Sequence, residues 1–210
     1  MRKYFCLRFP FFHAAAKNLM LTEYPDAVIE VLDSQLVTAL QGLFVLEAAK
    51  LRDRDLTLQE ALPKLQAIRS TGHIFFTTRD LKYLQHGGRI SGAAYAAGSL
   101  LNLKPLMHFY NGKLDPPQIC RGVRHSVSKV VDLFISYLKQ AGLDLHGYVF
   151  GTGIGLDIPE YDSFIHLIQT KFQENNIKPD EWIKIRIGAT IGVHTGPYPM
   201  GLGILKKCEE

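Results

Sequence analysis

A chain of 210 residues is long enough for one large domain or two small ones, and its core needs no disulfide or metal staple. Hydrophobic residues make up 47% and charged residues 21%, which excludes wholesale disorder, and the net charge of +4 comes from scattered Lys and Arg rather than a stripe fit for nucleic acid. Cys6, Cys120 and Cys208 are odd in number and lie far apart, without zinc-ligand spacing, so no disulfide framework or metal site is expected and a reducing, cytoplasmic setting fits. No apolar run reaches the roughly 18 residues of a membrane span. The opening MRKYFCLRFPFFHAAA has the charge order of a secretory leader, but Arg8, Pro10 and His13 interrupt its apolar part and argue against secretion.

In chain order, Phe12, Ala15, Ala16, Leu19 and Met20 recur at helical spacing and predict a helix that Tyr24-Pro25-Asp26 ends. AVIEVLDS, Ala27 to Ser34, reads as a strand buried on both faces, although the residues before it offer no convincing partner. Helices follow from Leu36 to Leu51 and from Leu56 to Ile68, the second with Thr57 as a possible cap. Ile74 to Thr78 predicts a strand, Asp80 caps a short helix carrying Leu81 and Leu84, and Gly87-Gly88 stops it. An Ala/Gly-rich helix then covers Ala93 to Leu101.

Leu103 to Tyr110 reads as a strand, Asn111-Gly112 as a hairpin turn and Lys113-Leu114 as the return. After Pro116-Pro117 a helix runs from Val123 to Gln140 with Val127, Val130, Val131, Phe134 and Leu138 on one face. Leu145 to Phe150 is a strand, Pro159 to Asn175 a helix, Trp182 to Val193 a strand or a bent pair, and Gly201 to Lys206 a last strand. The fold class is α/β: a first unit over residues 1–71 and an α+β second unit over residues 72–210, a mixed sheet covered by helices.

The motifs argue for binding more than for chemistry. Gly151, Gly153 and Gly155 lack the final spacing of a dinucleotide loop and read as a strand-to-helix turn. No P-loop, nucleophile elbow or carboxylate pair is evident, so no catalytic residue and no metal is assigned. His194, in VHTGPYPMG, can donate to an anionic ligand, or else bond a nearby carbonyl at a strand end. Arg89 and Ser91, in GGRIS, can hold an acidic headgroup with an apolar tail, or else cap the turn; Arg124 opens a helix, where an arginine is ordinarily solvated.

Taken together, TTRDLKYLQHGGRIS, LLNLKPL, NGKL, VRHSVSK and GVHTGP resemble the DegV family of bacterial fatty-acid-binding proteins, over roughly Ala14 to Leu205. The resemblance implies a two-domain fold with a long-chain fatty acid between the domains, and a protein that presents the acid's carboxylate to a fatty-acid kinase without being an enzyme itself. It implies that His194 joins the carboxylate network, that Arg89, Ser91 and Gly196 lie at the fatty-acid site, and that Arg124 faces the kinase. No cofactor is implied beyond the bound acid.

Departures accompany the matches. The family's threonine-bearing loop has no counterpart, Phe9, Pro10 and Phe11 stand where a Ser-Gly-Thr turn is expected, and Tyr198 replaces the last glycine of the histidine motif. The sequence therefore reads as an N-terminally truncated member with an incomplete first domain. The alternative is a chain that has lost lipid binding and serves as a protein-interaction module.

Overall fold

The computed structural model describes residues 10–92, 96, 101–115, 118–156 and 159–208. Cys6 and most of the Ala93–Leu101 stretch lie outside them. The elements are α1 (Pro10–Glu23), α2 (Thr38–Asp53), α3 (Leu58–Arg69), β1 (His73–Thr77), α4 (Leu81–His86), β2 (Leu103–Tyr110), β3 (Lys113–Leu114), β4 (Gln118–Arg121), α5 (Val123–Ala141), β5 (Tyr148–Ile154), α6 (Glu160–Glu174), β6 (Glu181–Arg186), α7 (Ala189–Thr195) and β7 (Met200–Lys206).

The seven strands form one mixed sheet in the order β3-β2-β1-β7-β5-β6, with β4 paired to β2. Only β5 and β6 run parallel, joined through α6; the last strand of the chain, β7, lies antiparallel between β1 and β5. Strand alternation sorts side chains to two faces. Phe75, Phe150, Leu202 and Ile204 point to one face and pack with Val130, Phe134 and Leu138 of α5 and Phe164, Ile168 and Phe172 of α6. Ile74, Phe109, Val149 and Leu205 point to the other and pack with Leu36, Leu40, Leu43 and Phe44 of the α2 region and Leu65 and Ile68 of α3.

Local chemistry explains most boundaries. Thr57 and Glu60 form a reciprocal capping box at α3, Asp80 accepts from the Lys82 N–H at α4, and Asn111 and Gly112 both adopt positive φ in the β2–β3 hairpin. Buried Glu47 of α2 ties down the chain end: Oε2 accepts from the Cys208 N–H at 2.8 Å and Oε1 from Lys50 Nζ at 2.7 Å.

Three sequence expectations change. Residues 27–37 contain no strand; Ile29, Leu32, Ser34 and Leu36 are buried, but no strand pairs with them among the described residues. Their polar groups are met locally instead. The Asp33 and Ser34 side chains accept from Gln35 N and Leu36 N, and Gln35 O accepts from Gly112 N at 2.9 Å. Positive φ at Gln35 and Thr38 delays α2 to Thr38. Next, Gly151 and Gly153 lie inside β5 rather than in a turn, because β5 continues to Ile154 between two paired strands. Finally, β6 ends at Arg186, and residues from Ala189 to His194 form the helix α7, not a second strand, with Gly188 at its N-cap position.

Under α5 a polar chain runs across the sheet. Asp115 Oδ2 lies 2.8 Å from His108 Nδ1, and His108 Nε2 lies 3.0 Å from His73 Nδ1, with the Tyr137 ring stacked on His73 at 4.3 Å. The carboxylate accepts a hydrogen bond from His108 Nδ1–H, which leaves Nε2 to accept from His73. Burial, reinforced by His108 and opposed by Asp115, holds His73 down from 6.5 to about 4, and burial likewise lowers His108 against the pull of Asp115. The unfolded chain takes up protons that the folded chain refuses. Stability is therefore full above about 6.5 and falls as pH drops toward about 4. Thermal unfolding followed across that window should show this loss, and the variant His73→Phe/His108→Phe should flatten it.

Candidate functional site

The sheet face toward α2 contains a patch without side chains. In register, Gly151 of β5 opposes Gly203 of β7 and Gly153 opposes Gly201. Beyond β7 stand Ile74 and Phe76 of β1, paired with Gly203 and Gly201; on the β6 side, Ile183 and Ile185 pair with Gly151 and Gly153. Above this floor lies a cavity of about 380 Å³, within the range of small-molecule sites, walled by Ile74, Phe76, Phe109, Ile187 and Ile191 and roofed by residues 37–40. The next pair along the strands on the same face, Val149 and Leu205, is fully packed at 2% and 1% exposure.

His194 and Arg89 supply the polar rim of this cavity. Their positions come from a close approach of α4 and α7. The His194 ring nests against Gly87: a Cβ there would lie 2.4 Å from Nδ1. Reciprocally, a Cβ on Gly196 would lie 2.5 Å from the Tyr83 ring. Gly196 also has φ 75° and ψ −172°, a region open essentially to glycine alone. At this same end of α7, Thr78 Oγ1 donates to Thr195 O at 2.5 Å and fastens the helix to the end of β1.

His194 Nδ1 is buried and has no hydrogen-bond partner among the described residues. With no acceptor at that edge, the ring's exchangeable proton is best placed on Nε2.

The remaining sequence candidates divide. Arg89 is exposed and its Nη1 donates to Gly87 O at 2.6 Å, so it braces the turn against which His194 rests while lining the cavity. Gly196 is buried directly behind Thr195, a lining residue. Ser91 is exposed and is not among the described lining residues. Arg124 is exposed in the first turn of α5, the helix packed on the opposite face of the sheet. Tyr198 lies beneath the Arg79 guanidinium at 4.9 Å from its ring centre, and Arg79 also meets Glu160 at 2.9 Å. Among the described residues no cluster of His, Cys, Asp and Glu could hold a metal ion, and no helix is long and apolar enough to cross a membrane.

Sequence reasoning missed the four floor glycines. Their signal was alternation, since G-x-G in both FGTGI and MGLGI puts the missing side chains on one face of a strand. The reciprocal packing predicts that Gly87→Ala, forced against the imidazole, destabilises the fold by about 1–3 kcal/mol. Gly92→Ala, where a Cβ meets nothing within 4 Å, should be near neutral in the same urea titration.

Comparison with known proteins places this geometry. The DegV family, described as a family of uncharacterised proteins, matches residues 12–207. A DegV domain-containing protein of Listeria monocytogenes is 26% identical over 170 residues, 81% of this chain, and the chain spans 57% of that relative's length. Among solved structures, a stearic acid-binding protein from Eubacterium ventriosum superposes with a TM-score of 0.81 at 31% identity, covering 97% of this chain and 70% of the other. The Fatty Acid Kinase (Fak) B3 protein of Streptococcus pneumoniae, loaded with linoleic acid, shares the fold with a TM-score of 0.75 at 18% identity, covering 98% of this chain and 71% of the other. With a match spanning nearly its whole length, and a mixed sheet and helices arranged as in these structures, the chain belongs to the DegV family.

Proposed function

We propose that this protein binds a long-chain fatty acid, with the alkyl chain over the glycine floor and the carboxylate against His194. The observation that carries the reading is an apolar cavity lined by a histidine wedged in place by glycine, with its Nδ1 buried against Gly87 and without a hydrogen-bond partner among the described residues. A hydrocarbon tail entering such a space gains the free energy of leaving water, about 25 cal/mol per Å² buried. The carboxylate, a charged acceptor, gains a hydrogen bond from His194 Nε2, and Arg89 adds a positive charge at the exposed edge. The stearic acid bound by the Eubacterium ventriosum protein supports the ligand class.

The finer reading extends to partners. The protein acts as a carrier, not a catalyst, and offers the carboxylate to a fatty-acid kinase in the cytoplasm, with Arg124 on the partner-facing surface. The cavity then lies at the seam between a first unit, residues 1–71, and a second, residues 72–210. Gly196 shapes the fatty-acid site through His194, and Ser91 follows Arg89 in the turn after α4. The Streptococcus pneumoniae Fak B3 protein, loaded with linoleic acid, supports the kinase connection.

Titration of the purified chain with stearic acid, read by native mass spectrometry, tests the reading. One acid should bind per chain, and His194→Ala should weaken binding by roughly tenfold to a hundredfold, the equivalent of one hydrogen bond to a charged group. Arg89→Ala should have a smaller effect that shrinks as salt rises. A folded chain that takes up no acid but retains a kinase subunit in a pull-down would replace this reading with that of an interaction module.

A further inference from the structure

The four glycines of the cavity floor are not equivalent. On β7, a Cβ at Gly201 would come within 2.7 Å of Phe75 O, and one at Gly203 within 2.8 Å of His73 O. Backbone of the neighbouring strand forbids a side chain there, so the sheet itself requires those two glycines. On β5 nothing comparable exists. A Cβ at Gly151 would first meet the Ala39 Cβ at 3.4 Å, an ordinary contact, and one at Gly153 would meet Cγ1 and Cδ1 of Ile187 at 3.3 Å, a tight contact but with a side chain and not with backbone.

Neither β5 glycine has a positive φ, and glycine inside a strand is unfavourable because it packs nothing and loses more backbone entropy than other residues. The fold therefore gains nothing from glycine at 151 or 153. What their missing side chains leave is room, and both line the cavity.

We propose that Gly151 and Gly153 are specificity-determining residues that keep open a narrow lane for an unbranched alkyl chain along β5 and β7, a reading that rests on the fatty-acid function proposed above. The lane is two strands wide, bounded by Ile74 and Phe76 on one side and Ile187 on the other. Successive same-face positions stand about 7 Å apart along a strand. Gly153 lies toward Pro199 and the His194 helix, and Gly151 one step nearer the blind end at Val149 and Leu205. A methyl at 151 bridges the floor to Ala39 of the roof and shortens the lane; a methyl at 153 narrows it near the carboxylate.

The test uses the full chain and the variants Gly151→Ala and Gly153→Ala, with stearic and decanoic acid as probes. Both variants should fold, with unliganded thermal midpoints equal to or above the wild type. Gly151→Ala should cut the preference for stearic over decanoic acid by about tenfold, and Gly153→Ala should weaken both acids. Unchanged affinities in both variants would overturn the proposal while leaving fatty-acid binding intact. A fall of several degrees in the unliganded midpoint would overturn it too, since the strand would then need its glycines for folding. A wild type that binds neither acid would instead remove the fatty-acid reading on which the proposal stands.

Discussion

The structure depends on the insertion of its last strand into the middle of its sheet. β7 pairs with β1 on one side and β5 on the other, so the sheet is continuous only when residues 200–206 are in place. That insertion demands glycine where β1 carbonyls press on β7, at 201 and 203. The same two residues leave a bare strip on the face toward α2. Packing of the backbone thus generates the floor of the cavity, and the sites of function and of folding share one strand.

A second constraint sets the chemistry. The short helices α4 and α7 touch through two glycines, each accepting an aromatic or imidazole ring from the other element: Gly87 receives His194, and Gly196 receives Tyr83. This arrangement explains how one imidazole can be held at the rim of an apolar space without a side-chain hydrogen bond to orient it. It also accounts for Arg89, whose bond to Gly87 O steadies the same turn. The exposed candidate Arg124 belongs to the helix on the far side of the sheet and so lies away from this cavity.

Much of this was legible in the residues because the signals were local. The Asn111-Gly112 turn, the Thr57 capping box, the Asp80 cap and the apolar stripe of α5 each follow from contacts within a few residues. What escaped depends on distant neighbours. Ala27 to Ser34 carries a strand-like pattern, yet without a paired neighbour the pattern forms no strand. The stretch from Ile187 to Val193 is too short for its periodicity to separate helix from strand, so His194 was expected at a strand end rather than on α7. The cavity was least visible of all, being built from side chains that are missing, and glycines after a strand ordinarily signal a turn. The DegV resemblance drew on GGRIS and the His194 motif together, two segments far apart in sequence that the fold brings into contact.

The central claim is that an acyl carboxylate meets the imidazole held by Gly87, with its chain lying over the paired glycines of β5 and β7. A crystal structure of the chain grown with stearic acid tests it most directly. The account predicts continuous density over Gly151, Gly153, Gly201 and Gly203, ending in a carboxylate within hydrogen-bond reach of His194 Nε2. Density for the acid anywhere else, or a carboxylate turned away from that ring, would contradict it.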